Sequence, residues 1–201
     1  MSDYVVCKNF LDLQDKEDIL SVIKRSIDKK DHRSKIETWT AGAITGCNFK
    51  ELHPFFVKYT TKIKSILNQE IIPTYSFWRK SHAGTDLPYH FDRPACEVTV
   101  SINLESSDNK VWPFFIVHNK KHKVLLNTND AVIYGGYRHI HWREPLEQEF
   151  NYQLCFHYFL ANGSFNGCKY TLDWVDVPNS YKEKQYVIDL QKQVKRLEKN
   201  D

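Results

Sequence analysis

The stretch Pro88–Leu104, PYHFDRPACEVTVSINL, decides how the chain is read. Its second half is crowded with Val, Thr and Ile, residues that fit a pleated, half-buried surface. It reads as a strand over Glu97–Leu104, with a shorter one before it over Tyr89–Asp92. The pattern extends outward in both directions. From Ile71 to Tyr170, short runs rich in Val, Ile, Thr, Phe, Tyr and Trp alternate with clusters of Gly, Asn, Asp and Pro. Further strands are expected near Tyr75–Lys80, Phe114–His118, Lys123–Leu126, Ala131–Tyr134, His139–Trp142 and Tyr152–Leu160. Short strands at this spacing predict a mainly β chain with flanking helices, closed or double-sheeted like a jelly roll.

Three segments outside the strands read as helices. Asp15 to Asp28 carries Ile19, Leu20, Val22, Ile23 and Ile27 on one face, with Asp15 as N-cap. Pro54 to Gln69 repeats Phe55, Phe56, Tyr59, Ile63, Ile66 and Leu67 at helical spacing, and Pro54 suits a first helical position. Lys182 to Lys199 spaces Val187, Leu190, Val194 and Leu197 by threes and fours. That stripe packs on the domain or joins two copies in a short coil, so a monomer or a weak homodimer is expected.

A chain of 201 residues fits one domain over 1–201 with one core. Basic and acidic residues nearly balance, 28 against 25, which gives no electrostatic footing for nucleic acid. The cluster His118–Lys123 reads as a solvated hairpin tip. The five cysteines are odd in number and form no CxxC pair, so reduced thiols in a cytoplasmic setting are expected. The N-terminus lacks a basic-then-apolar leader pattern. No apolar run approaches the roughly 18 residues of a membrane helix, so no membrane partner is expected.

The chemistry begins at His90 and Asp92. Residues two apart on a strand share a face, so an imidazole and a carboxylate aim at one point. With a second histidine they form the two-His, one-carboxylate set that holds one face of octahedral Fe(II) and leaves positions open. The stretch Asp130–Pro145, DAVIYGGYRHIHWREP, offers that histidine twice, as His139 and as His141. Glycine-rich phosphate loops and a GxSxG elbow are absent from the sequence.

Taken in order, PYHFDRPACEVTVSIN, WPFFIV, NDAVIYGGYRHIHWREPL and QLCFHYF resemble the 2-oxoglutarate and Fe(II)-dependent oxygenase superfamily, in particular its prolyl-4-hydroxylase-like members. The resemblance spans about Ile71 to Leu160. It implies a double-stranded β-helix with Fe(II) held by His90, Asp92 and His141, His139 being the second choice for the distal ligand. It implies 2-oxoglutarate as co-substrate, with ascorbate as an optional reductant. The reaction implied is a dioxygenase hydroxylation of a C–H bond, releasing succinate and carbon dioxide. Its substrate is a peptidyl residue, prolyl among them, or a small molecule. The family places an Arg or Lys on its last barrel strand to clamp the distal carboxylate of 2-oxoglutarate. Here that region is Asn151-Tyr152-Gln153, without a cation. Arg143, two past His141, is the candidate clamp, with Gln153 as a further amide donor. The missing cation keeps a second reading open, a cupin-like module that binds a metal or ligand without turnover.

The other polar residues say less. Arg93 and Glu97 either orient a ligand or pair with each other. Trp78, Trp112 and Trp142 either line the pocket mouth or belong to the core. His157 reads as a satisfied core histidine, and His82, His118 and His122 as loop residues.

Overall fold

A computed structural model describes residues 4–30, 34–36, 40, 42–108 and 110–163, with backbone alone at 34–36. The strands are β1 (Val5–Cys7), β2 (Ser34–Ile36), β3 (Ile44–Cys47), β4 (Ile71–His82), β5 (Leu87–His90), β6 (Val98–Ser106), β7 (Phe114–His118), β8 (Lys120–Val124), β9 (Ala131–Tyr134), β10 (His141–Arg143) and β11 (Phe150–Leu160). Two helices, α1 (Leu13–Asp28) and α2 (His53–Leu67), interrupt the early strands. The strands form a seven-stranded sheet, β1-β9-β6-β11-β4-β3-β2, and a four-stranded sheet, β5-β10-β7-β8. From β4 onward the chain changes sheet at every connection except the β7–β8 hairpin. That winding is a jelly roll, the double-stranded β-helix that the sequence led us to expect. The eight expected strands are its eight strands, within a few residues at each end.

The large sheet explains its own sequence. On β11, Leu154, Phe156 and Tyr158 face one way and join the core under α1 and α2. Gln153, Cys155 and His157 face the other way, into a cavity between the sheets. The neighbouring β6 does the same, with Val98, Val100, Ile102 and Leu104 against the helices. Its Thr99 and Ser101 turn to the cavity. A strand alternates its faces, so an apolar outer face leaves a polar interior. Helices α1 and α2 supply Ile19, Leu20, Ile23, Phe56, Tyr59 and Ile63 to close the outer face. Phe56 stacks on Phe156 with ring centres 4.9 Å apart. A second cluster, Phe114, Ile116, Val124, Leu126, Val132 and Tyr134, fills the barrel beside the cavity.

Several expectations need correction. Helix α1 starts earlier than expected, after Asp12, and neither Asp12 nor Asp15 acts as a side-chain cap. Asp15 instead accepts hydrogen bonds from Lys58 and Tyr59 of α2, both at 2.6 Å. Helix α2 stops at Leu67 because Asn68 turns left-handed, φ 49°, and ends the run before Gln69. Ile66, one of the residues at helical spacing, is 36% exposed. Strands β1, β2 and β3 were not expected at all. They extend the large sheet at both edges. His82, His118 and His122 lie on strands rather than loops. The C-terminal segment Lys182–Lys199 and Cys168 lie outside the described residues. Among the described residues, no helix is long and apolar enough to cross a membrane.

Candidate metal centre and its cavity

Strand β5 ends at His90 and β10 begins at His141, and the two residues are antiparallel partners. Two imidazoles from distant parts of the sequence therefore meet at one end of the barrel, ring centres 4.1 Å apart. The Nδ1 of His90 lies 2.8 Å from the Pro88 carbonyl. The Nδ1 of His141 lies 2.9 Å from the His139 carbonyl. A carbonyl only accepts, so each Nδ1 carries the hydrogen and each Nε2 keeps its lone pair. Both Nε2 atoms point at Asp92 Oδ1, at 3.4 and 3.5 Å. Asp92 is not on a strand, as its spacing from His90 suggested. It lies past the end of β5, where its backbone N–H donates to the Gly136 carbonyl at 2.9 Å. The tight turn at Gly135-Gly136, rather than the pleat, brings this carboxylate to the histidines.

The three ligand atoms lie within 4.8 Å of one another. Burial lowers the His90 pKa, and the neighbouring His141 adds to the effect. Burial would raise the Asp92 carboxyl, but His141 and His90 outweigh it and hold it well below the usual range. The cluster therefore presents an unprotonated imidazole and a carboxylate at neutral pH. This nitrogen and oxygen donor set, with each ring fixed by a second hydrogen bond, fits a borderline divalent metal such as Fe(II). His139, the second choice, is outside the cluster. Its carbonyl holds His141 in place, and its ring faces His118, 3.4 Å away.

A second group, Asp92, Cys96 and His157, also meets the distance condition among the described residues. It is less suited to a metal. Burial pushes the Cys96 thiol well above its usual range, and the sulfur is 2.9 Å from the Tyr75 hydroxyl. A neutral thiol is a poor ligand.

The cluster opens into a cavity of about 270 Å³. Arg143 lies in its wall, 3% exposed. One of its guanidinium nitrogens, Nη1, donates to the Trp112 carbonyl. The group lies 4.8 Å from the Trp112 ring centre and 5.2 Å from that of Phe114. Its Nε is buried with no hydrogen-bond partner among the described residues. Burial lowers its pKa to about 10, so it stays charged at neutral pH. Among the described residues Arg143 forms no ion pair with its sequence neighbours Glu144 and Glu147. Gln153 shares the cavity wall, with its amide 3.4 Å from the Ser101 hydroxyl.

The sequence reading missed Arg79. It stands on β4 directly across from Gln153, and it lines the same cavity. The resemblance led us to expect a cation near Gln153, and Arg79 stands beside it on the neighbouring strand. Its charge helps to depress Arg143 and the thiol of Cys155, which burial nevertheless lifts to about 11. The alternation Tyr75, Phe77, Arg79 on an expected strand was the available signal.

His157 is buried, as expected, but it faces the cavity rather than the core. Burial pushes its pKa down to about 4, so it is neutral at pH 7. Arg93 and Glu97 do not need each other. Glu97 meets Arg138 at 3.5 Å and accepts the Leu160 N–H at 3.0 Å, while Arg93 lies over the Tyr75 ring. Trp78, Trp112 and Trp142 are buried and none lines the cavity.

No family model matches the chain. No curated protein matches it either. Solved structures do. The non-haem α-ketoglutarate-dependent epimerase SnoN from nogalamycin biosynthesis superposes with a TM-score of 0.66 at 12% identity, over 87% of this chain and 85% of that one. A prolyl hydroxylase from Trichoplax adhaerens, in complex with a hypoxia-inducible factor peptide fragment, gives 0.64 at 15% identity over 79% and 84%. HygX from Streptomyces hygroscopicus, with nickel, 2-oxoglutarate and hygromycin B bound, gives 0.63 at 9% identity over 80% and 84%. At these identities the likeness is one of fold.

Proposed function

We propose, for a chain with the fold of the 2-oxoglutarate oxygenases, that it is a non-haem Fe(II)- and 2-oxoglutarate-dependent dioxygenase. The observation that carries this reading is the convergence of His90 Nε2, His141 Nε2 and Asp92 Oδ1 beside a cavity whose wall includes Arg79 and Arg143. His90, Asp92 and His141 would hold the iron. When bound, the iron supplies the redox chemistry that couples decarboxylation of 2-oxoglutarate, to succinate and carbon dioxide, with hydroxylation of a substrate C–H bond. The protein's own residues do the rest. The carbonyls of Pro88 and His139 keep both imidazoles in the ligating tautomer. Arg143, through its partnerless Nε, and Arg79 receive the distal carboxylate of the co-substrate, where burial strengthens a charge-assisted pair. Gln153 adds an amide donor.

The substrate class proposed is a peptidyl residue, prolyl included, or a small molecule. Ascorbate is kept as a reductant for the assay. A cytoplasmic setting is supported by the free thiols of Cys7, Cys47, Cys96 and Cys155. The cupin-like reading rested on the missing last-strand cation, and Arg79 on the neighbouring strand favours the enzyme over it.

The test is anaerobic addition of Fe(II) and 2-oxoglutarate, read by the visible metal-to-ligand charge-transfer band, followed by a succinate assay in air. Wild type gives both signals. His90→Ala and Asp92→Ala give neither. A wild-type protein without band or succinate overturns the proposal.

A further inference from the structure

The two oxygens of Asp92 have separate surroundings. Oδ1 faces the two histidines, and Oδ2 accepts the Thr99 hydroxyl at 3.1 Å. Thr99 has one hydroxyl hydrogen. A buried carboxylate is the strongest acceptor near it, and the Cys96 carbonyl is farther, at 3.5 Å. With that hydrogen given to Asp92, the Thr99 oxygen is left to accept from His157 Nδ1, also at 3.1 Å. Three side chains thus form a directed chain, His157 to Thr99 to Asp92, running from β11 through β6 to the loop after β5. The His157 ring is held in turn by the Tyr75 ring, with centres 4.4 Å apart and planes 32° apart. Gly136 also packs close against Oδ2. A methyl at its α-carbon would lie 2.2 Å from Oδ2 and 2.5 Å from the Thr99 hydroxyl.

We propose that Thr99, itself oriented by His157, is a positioning residue that engages Oδ2 and so presents Asp92 to the metal through Oδ1 alone. The proposal rests on the metal reading given above. Its chemical consequence is a coordination count. A carboxylate free to swing would bind through both oxygens and take a further position on the ion. One locked at Oδ2 takes a single position, and two histidines with one oxygen leave three for a chelating co-substrate and a third ligand. Groups that hold a metal ligand by a hydrogen bond typically govern metal affinity by about 10- to 100-fold.

The experiment is a titration of the metal-free protein with cobalt(II), followed by visible d–d absorption, whose position and intensity report coordination number. Apo-protein unfolding is measured alongside as a folding control. Thr99→Val keeps the shape and removes the hydroxyl, and it binds cobalt roughly 10-fold more weakly or worse, with a shifted spectrum. Thr99→Ser keeps the hydroxyl and restores wild-type affinity and spectrum. His157→Phe removes the donor to Thr99 and shifts the spectrum in the same direction. Wild-type affinity and spectrum in Thr99→Val overturn the proposal while leaving the metal site intact. So does a Thr99→Ser protein as impaired as Thr99→Val, because the methyl group would then be what matters. If Thr99→Val does not fold, an unchanged spectrum in His157→Phe overturns it. A wild-type protein that takes up no cobalt removes the metal reading itself.

Discussion

Arg79 and Arg143 line one cavity together with Arg93, and the charge of Arg79 already helps to depress the Arg143 guanidinium, so an anion placed between them is favoured. A charge-assisted hydrogen bond is worth about 1.5–3 kcal/mol, which is roughly 10- to 100-fold in affinity. Arg143→Met and Arg79→Gln should each raise the KM for 2-oxoglutarate by about that factor in a succinate assay, with cobalt affinity unchanged. An unchanged KM in Arg79→Gln would leave the clamp to Arg143 alone. His157 sets a second expectation at this scale. Its folded-state pKa of about 4 lies below the ordinary 6.5, so the folded protein resists its protonation. Its contribution is therefore complete above pH 6.5 and is lost as pH falls toward 4, about 3 kcal/mol across that window. Urea unfolding of the metal-free protein between pH 7 and 4 should fall more steeply in wild type than in His157→Gln. Parallel curves would show that His157 titrates alike folded and unfolded. These residues differ in how far the sequence displayed them. His90, Asp92 and His141 were legible because their chemistry is rare in combination. Arg79 was less so, because alternation along β4 gives its face but its place opposite Gln153 depends on the register between β4 and β11, which no local pattern encodes.

Among the elements, the strands of the barrel were legible because they are dense in β-branched and aromatic residues. Strands β1, β2 and β3 are three or four residues long, too short for a period of two to show. The two residues of the HxD spacing do converge, but Asp92 is placed by a turn against Gly136 and not by the strand pleat. Strand β3 nevertheless matters to the site. It backs β4, and Gly46 faces Trp78 across the pair. A β-carbon at Gly46 would lie 2.3 Å from the Phe49 ring and 2.4 Å from that of Trp78. Trp78 is 1% exposed, so it has nowhere to retreat. Gly46→Ala should destabilise the fold by about 1–3 kcal/mol through overpacking. The displaced Trp78 adjoins Arg79 on β4, so the same variant should raise the KM for 2-oxoglutarate while cobalt still binds. A variant with wild-type unfolding would mean that β3 moves freely and is not a fixed backing to β4.

At the scale of the molecule, the candidate centre sits where the two sheets come together. His90 and His141 belong to the small sheet. Asp92 is tied to the large sheet through Thr99 of β6, which also meets His157 of β11. An ion held by all three residues would cross-link the two layers, and the unfolded chain, with His141 far in sequence from His90 and Asp92, offers no comparable site. Any ligand that binds only the folded state stabilises it by mass action, about 2.7 kcal/mol at a concentration 100 times its Kd. For a domain near 200 residues that corresponds to a rise in Tm of roughly 5–10 °C. Thermal unfolding with and without manganese(II), a redox-stable substitute, measures the effect. Wild type should show the rise and lose it on addition of a chelator. His141→Ala, which removes the small sheet's contribution, should unfold at one temperature with or without the metal. Phe114 and Tyr134 pack against that ring, with centres 5.5 and 4.9 Å away, so this variant should also begin from a lower metal-free Tm. The diagnostic is thus the metal-induced increment and not the absolute value. An equal increment in wild type and His141→Ala would place the metal elsewhere on the molecule and remove the link between the two sheets.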